Sequence, residues 1–472
     1  VRKALIITYY WPPAGGSGVQ RWLKFAKYLR EFGYEPIIYT PENPEFMAID
    51  RSLEAEIPEG LEVIKRRIRE PYSLYKKFTG RKGAIKPGFV KTNTSVEASS
   101  STKSTNFVKK GTSEKGSSSK SSFKERLSLF IRSNLFFPDP KMLWIRPSVK
   151  FLKRYVVQNG IDIIVTTGPP HSIHIIGRRV SRATSIPWIA DFRDPWTKMY
   201  NFKYMGYTSL MRGKHRRVER KILTAADSVV TVTNTIRAEL EAVIRGEVFV
   251  VTNGYDESDF AAPAPELEAS FTVTFTGLFV KSQNPERFWK VLGEMTTQDK
   301  SFAEDLKIRL IGHIDQAILD SISISGLNKN LIVHDYMPHD EVIGYQRSAQ
   351  ILLLSVGSEP EAKGILTGKF FEYLAARRPI VAFGIKGGGD IDIALEESNG
   401  GTMFPYDEEN GVREYIETLY KDFKTTGIPY TSGAIERYSR RTLTQKMASI
   451  MDNCQIRKQN VAKFGRERKK RE

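Results

Sequence analysis

The sequence predicts an α/β chain built as two doubly wound domains that face a cleft. Three observations carry this expectation. Apolar runs of strand length alternate with segments of helical periodicity, the alternation breaks at the Ala/Pro run 261–265, and it then restarts over a second half of similar size. Strands separated by helices form parallel sheets covered on both faces. A length of 472 residues suits two or three domains, each with its own core, and 40% hydrophobic residues mark a globular chain.

The elements follow in order. Residues 4–8 read as a strand, the Gly/Pro-rich stretch 11–18 breaks it, and Trp22, Phe25, Ala26 and Leu29 recur at helical spacing. Residues 36–40 return as a strand. Strand 161–166, a helix around 173–182, strand 187–190 and strand 228–232 continue the alternation. Beyond 261–265 the reading is strand 272–276, helix 285–292, strands 308–311 and 331–334, helix 340–348, strand 351–354, helix 369–376 and strand 379–383. An amphipathic helix around 435–451 comes last. The organisation implied is an N-terminal domain over 1–262, a C-terminal domain over 263–434, a terminal helix over 435–456 and a basic tail over 457–472.

Charge narrows the function classes. The chain has 72 Lys plus Arg against 54 Asp plus Glu, a formal +18. The Ser/Thr/Lys-rich segment 81–120 contributes +7 and the tail 457–472 contributes +6, which leaves the body at +5. Segment 81–120 has almost no large apolar residues and reads as a flexible basic insertion. Without a basic stripe on a folded module, nucleic acid is not an expected partner. The two basic segments are either solubilising or directed at an anionic membrane surface. The basic Leu/Phe-rich stretch 126–137 fits either a core-facing helix or a helix lying in a membrane interface. Cys454 is the one cysteine, which excludes an intrachain disulfide framework. With no signal-peptide pattern at the first residues and no run of about 18 apolar residues, the expected location is cytoplasmic.

Ligands of open α/β sheets bind beyond the carboxyl ends of the strands, so the loops after strands hold the candidate site. Gly15, Gly16, Ser17 and Gly18 lie between the first strand and first helix, where glycine permits close approach of a diphosphate to free backbone N–H groups. Their spacing does not match G-x-G-x-x-G, which disfavours a nicotinamide dehydrogenase. In the second half, Thr367, Gly368 and Lys369 open a helix after strand 351–354, placing backbone donors and an ammonium where phosphates bind. Glu372 falls one turn further, where a carboxylate can accept from a ribose diol. Lys369 is followed by Phe370 instead of Ser or Thr, so an ATPase P-loop is not expected. His171 and His174 follow strand 161–166. Asp191, Arg193 and Asp194 follow strand 187–190 and are either acceptor or sugar contacts or an internal Arg/Asp pair fixing the loop. Asp390 and Asp392 read as a helix start after three glycines, not as a metal pair.

The segment GILTGKFFEYLAARRPIVAFG resembles the donor-binding segment of GT-B fold glycosyltransferases of the family 4 type. ITYYWPPAGGSGVQRW, TTGPPHSIHIIG, PWIADFRDPW and VTNGYD resemble the corresponding landmarks of bacterial members, in the same order. The resemblance implies two Rossmann-like domains, with acceptor side first and nucleotide sugar second. It implies that Glu372 binds the donor ribose, that Thr367, Gly368 and Lys369 approach the diphosphate, that Gly16 reaches the same phosphates from the other domain, and that His171 lies near the reacting sugar. Two positions depart from the pattern. Gly364 stands where many relatives have a glutamate, and Gln283 stands where an Arg is frequent, with Lys281 nearby as a substitute.

The function implied is a retaining glycosyltransferase that moves a sugar from a nucleotide-diphosphate donor to a glycan or lipid-linked hydroxyl acceptor in cell-surface glycan or glycolipid synthesis, with no bound cofactor and no metal. A sugar-nucleotide 2-epimerase of the same fold and a non-catalytic sugar-nucleotide or membrane-binding protein are the alternatives.

Overall fold

The computed structural model describes residues 1–68, 130, 133–428 and 431–471 except 45, 47, 48, 245 and 432. The insertion 81–120 lies outside the described residues. So does part of the stretch 126–137, where Phe130 and Leu135 are exposed while the Phe137 ring packs 4.8 Å from His215.

The chain forms two parallel sheets. The first has seven strands in the order β3-β2-β1-β4-β5-β6-β7, comprising β1 Arg2–Ile7, β2 Tyr34–Pro41, β3 Glu62–Arg66, β4 Ile163–Gly168, β5 Trp188–Phe192, β6 Ser228–Thr231 and β7 Val248–Val250. The second has six in the order β10-β9-β8-β11-β12-β13, comprising β8 Phe271–Thr276, β9 Leu306–Ile311, β10 Leu331–His334, β11 Ile351–Ser355, β12 Ile380–Phe383 and β13 Gly401–Phe404. In each sheet the strand order reverses beside the first strand, between β1 and β4 and between β8 and β11. Crevices for ligands open at such switch points. The expected pair of doubly wound domains is what forms.

Helices cover both faces of each sheet. In the first half these are α1 Ser17–Tyr28, α2 Met142–Gln158, α3 Ser172–Thr184, α4 Ser209–Leu223 and α5 Asn234–Ile244. The second half adds α6 Glu286–Gln298, α7 Lys300–Asp305, α8 Gln316–Ile324, α9 His339–Ser348, α10 Gly368–Ala376, α11 Asp390–Ser398 and α12 Asn410–Thr425. One face of the first sheet packs Leu5, Ile7 and Ile164 against Trp144, Leu152 and Ile176, whereas the other packs Ile6, Ile38 and Val165 against Trp22, Phe25 and Leu29. Central strands such as β4 and β11 are buried on both sides and therefore read as apolar runs.

The last helix, α13 Arg440–Arg471, departs from expectation in two ways. It starts later than 435, after a 3-10 turn at Glu436–Tyr438, and its backbone continues through the segment 457–471 expected as a separate basic tail. Lys, Arg, Gln and Ala are strong helix formers and no proline interrupts the run. It also returns to the first domain, where Leu443, Met447, Met451 and Cys454 join the α1 core and Asp452 accepts from Tyr34 Oη at 2.6 Å.

The chain crosses between domains twice, and the crossings are paired. The N–H of Tyr255 donates to the Tyr438 carbonyl and the N–H of Arg440 to the Tyr255 carbonyl, at 3.1 and 2.8 Å. Asp256 anchors the outgoing strand to α1 by accepting from Lys24 (2.8 Å), Lys27 (2.9 Å) and Tyr28 Oη (2.5 Å). On another side, Asp390 of the second domain accepts from the N–H groups of Asn234 and Thr235 at 2.9 and 3.2 Å, supplying the cap that α5 needs. The carboxyl ends of the two sheets are thereby held facing each other.

Candidate functional site

The first half of the site stands on the loops after β1, β4 and β5. Gly16 caps α1 with φ 96°, a conformation that L side chains rarely adopt, and a Cβ built there meets nothing within 4 Å. The cap residue gives this helix start no side-chain hydrogen bond, and the Val19 N–H donates to the Gly16 carbonyl at 3.2 Å. A Cβ on Gly18 would come 2.8 Å from Arg193 Nη1. That guanidinium donates to the carbonyls of Gly18 (2.9 Å) and Pro169 (2.8 Å), tying the glycine turn to the loop that carries His171. Arg193 is thus a brace between two loops.

Asp191 is corrected. It does not contact a sugar, because it is fully buried and its carboxylate is taken by Arg21 Nε (3.0 Å), Arg21 Nη2 (2.9 Å) and Trp22 Nε1 (2.8 Å). The internal Arg/Asp pair therefore exists, with Arg21 as the partner. Arg21 also donates to the carbonyls of Val251 and Thr252, where the chain leaves the domain. Asp194 is partly exposed, and burial raises its carboxyl against the lowering pull of Arg193.

His171 caps α3 and lies flat on Trp196, with ring centroids 4.4 Å apart and planes 5° apart. Burial holds its imidazole well below 6.5, and the charges of His174, His215 and Arg193 add to that. A neutral ring at this place offers a hydrogen bond, not a positive charge. Its Nδ1 is buried without a partner. Asp139 fixes the loop by accepting from the N–H of Ser172 at 2.7 Å. His174 is fully buried, stacked 4.2 Å from Phe192 and bonded through Nδ1 to Thr166 Oγ1 (2.9 Å), with burial pulling it to about 3. It is a core histidine.

The second half lies after β8 and β11. Thr367 caps α10 without a side-chain hydrogen bond, and its Oγ1 is buried without a partner. Gly368 follows with open space at its Cβ position. Lys369 Nζ lies 3.9 Å over the Phe275 ring, and a Cβ on Gly277 (φ 98°) would come 3.3 Å from it. Burial lowers this ammonium to about 7, with Glu372 pulling the other way. Burial also pushes Glu372 upward, but His339, Gln346 and Lys369 outweigh it and hold the carboxyl below its ordinary value. Glu372 Oε1 lies 3.2 Å from His339 Nε2, and Oε2 accepts from Gln346 Nε2 at 3.2 Å.

The structure thus brings Thr367, Gly368, Lys369 and Glu372 together and leaves Lys281 apart, exposed on a short 3-10 turn with its N–H 3.3 Å from Asp315. Gln283 uses its carbonyl to accept from Ser355. Gly364 packs against the first domain, since a Cβ there would lie 3.1 Å from Thr235 Cβ and Cγ2. A side chain there requires Thr235 to shift by a few tenths of an ångström. Asp392 accepts from the N–H groups of Gly387 (2.7 Å) and Gly388 (3.2 Å), so with Asp390 capping α5 both carboxylates serve backbone anchoring at the start of α11. His339 and Gln346 were missed from the sequence. His339 follows β10 directly at a helix start, and the rule that selected the other strand-end loops applies to it equally.

Residues 116–259 match the sequence profile of Glycosyltransferase Family 4. Curated proteins give no match to the chain. Among solved structures it is similar to a glycosyltransferase from Rickettsia africae ESF-5, at 12% identity and TM-score 0.58, covering 96% of this chain and 98% of that one. It is similar to a UDP-forming α,α-trehalose-phosphate synthase from Burkholderia xenovorans, at 9% identity, TM-score 0.53 and coverage of 96% and 100%. A putative UDP-N-acetylglucosamine 2-epimerase from Listeria monocytogenes shares the fold at 10% identity, TM-score 0.50 and 94% coverage of each chain. The chain therefore has the GT-B fold of these structures, and residues 116–259 within it match the Glycosyltransferase Family 4 profile.

Proposed function

We propose that the chain is a retaining glycosyltransferase that transfers a sugar from a nucleotide-diphosphate donor to a hydroxyl acceptor, in cell-surface glycan or glycolipid synthesis. The observation that carries this reading is the start of α10, where an uncapped helix N-terminus, the Lys369 ammonium and the Glu372 carboxylate stand within one helical turn. Glu372 accepts from the ribose diol, while the helix N–H groups and Lys369 take the diphosphate. Gly16 approaches the same phosphates from the first domain at the start of α1, and Lys281 contributes only long-range positive potential.

The chemical difficulty of the transfer is negative charge on the leaving diphosphate and positive charge at the anomeric carbon. Donors fixed before the reaction stabilise the first without reorganising. The leaving phosphate accepts the acceptor proton on the same face, so configuration is retained without a protein nucleophile. His171, held neutral, hydrogen-bonds the transferred sugar, with Asp194 and Arg193 at the acceptor side. Neither a bound cofactor nor a metal has a part in this scheme.

Incubation with a panel of nucleotide sugars, alone and with hydroxyl acceptors, tests the reading. Transfer to an acceptor with retained configuration supports it. Isomerisation of the sugar nucleotide without acceptor would assign the epimerase reaction instead. For location, we place the protein at the inner face of a membrane through its basic segments. No helix among the described residues is long and apolar enough to span a membrane. Sedimentation with anionic vesicles that is lost on deleting 81–120 supports this placement, and absence of binding removes it.

A further inference from the structure

Glu372 enters the cleft with both oxygens already engaged by one neighbouring helix, α9. His339 Nε2 lies 3.2 Å from Oε1 and Gln346 Nε2 3.2 Å from Oε2. Gln346 also donates to Thr276 Oγ1 at 3.2 Å, and the N–H of Thr276 donates to Tyr373 Oη at 2.9 Å. This chain of contacts is buried at Gln346, Thr276 and Tyr373 and ends at His339, whose side chain is 56% exposed. Two donors leave a carboxylate with further lone pairs, enough for the two hydroxyls of a ribose. They also fix its rotamer before the ligand arrives, which reduces the ordering cost of binding.

We propose that His339 is a positioning residue, which holds Glu372 in the orientation that accepts from the ribose diol and holds it more firmly when the imidazole is charged. The inference rests on Glu372 being the ribose carboxylate. The charged groups facing His339 are Glu372 on α10, Asp259 on the 3-10 turn Glu257–Phe260 and Lys24 on α1. The hydrogen bond that His339 donates to Glu372 raises the imidazole above 6.5, burial opposes it, Asp259 adds to the rise and Lys24 subtracts. The charged form therefore persists below a value higher than the ordinary one. As pH rises through that value the bond to Glu372 loses its charge assistance and keeps only a neutral N–H donor.

The test compares the affinities of UDP, GDP and ADP with those of their 2′-deoxy counterparts. Each pair carries the same diphosphate, so the ratio cancels Lys369 and reports the ribose hydroxyl alone. Wild type should favour the ribose form about tenfold at pH near 6, and the ratio should fall about threefold by pH near 8.5 as charge assistance is lost. His339→Gln keeps a donor without a charge and should give an intermediate ratio that is flat with pH. His339→Ala should bring the ratio near two at every pH while the protein melts as wild type. A ratio and pH profile in His339→Ala equal to wild type would overturn the positioning role. Glu372→Ala separates the underlying reading: a ratio near one upholds it, and an unchanged ratio, or no nucleotide bound by wild type, defeats the ribose assignment itself.

Discussion

Lys369 gives the most quantitative consequence of the donor site. In the free protein its ammonium lies 3.9 Å over the Phe275 ring, and burial brings its titration to about 7. A diphosphate is stabilised by the charged form only. The sign follows directly: a base titrating near 7 is charged below that pH and neutral above it, so donor affinity is full below and declines above. At pH near 6 about nine-tenths of the protein carries the charge, and at pH near 8 about one-tenth does. Affinity should therefore fall about tenfold across that interval, equivalent to about 1.4 kcal/mol, with net proton uptake on binding near neutrality. Calorimetry with an intact nucleotide sugar, in buffers of different ionisation enthalpy, reads both quantities, because its diphosphate diester does not titrate there. Lys369→Arg should abolish most of the slope, since guanidinium stays charged, and leave only the smaller contribution of His339. Constant affinity from pH near 6 to 8 in wild type, without proton uptake, would refute the reasoning.

Further expectations concern the frame around the site. Asp191→Ala leaves Arg21 buried and uncompensated and should cost about 3–5 kcal/mol of stability, read as a denaturant midpoint shift; an unchanged midpoint would remove the ion pair from the account. Gly364→Glu places a side chain 3.1 Å from Thr235 and should lower turnover by holding the domains apart, while nucleotide affinity stays near wild type; higher turnover would show that the position does accommodate the residue frequent among relatives. Cys454 is fully buried and its thiol is pushed up to about 12 by burial, so thiol reagents should label it only after unfolding; rapid labelling of native protein would contradict the packing of α13 on the first domain.

What was legible in the sequence follows from the physics of each element. Central strands such as β4 and β11 are buried on both faces and stand out as apolar runs, and β10 was placed at its observed bounds. Edge strand β3, Glu62–Arg66, mixes charged with apolar residues and carries no such signal. Helix α4 is nearly half charged and buries only His215, Glu219, Ile222 and Leu223, while α2 contains Pro147 within its span. Both patterns hide helices from periodicity. In the site, the glycine turn and the α10 start were legible because local backbone chemistry makes them, as Gly16 at φ 96° illustrates. The partner of Asp191 was not, since Arg21 lies 170 residues away in sequence and only the fold brings the two together. Gln346 was hidden for the same reason, since its meaning comes from Glu372 on another helix, whereas His339 stood in a strand-end loop that the same rule selects. The extent of α13 went unread because its basic half has no apolar face to mark it.

The central claim is that a nucleotide sugar is held at the start of α10 by Glu372 and Lys369. Thermal unfolding of wild type and Glu372→Ala across a panel of nucleotide sugars tests it most directly, because a ligand present at about 100 times its Kd and bound only by the native state adds about 2.7 kcal/mol. At least one nucleotide sugar should raise the midpoint of wild type, and the rise should be largely lost in Glu372→Ala although the two proteins melt alike without ligand. Equal rises in both proteins, or none in wild type with any member of the panel, would contradict it.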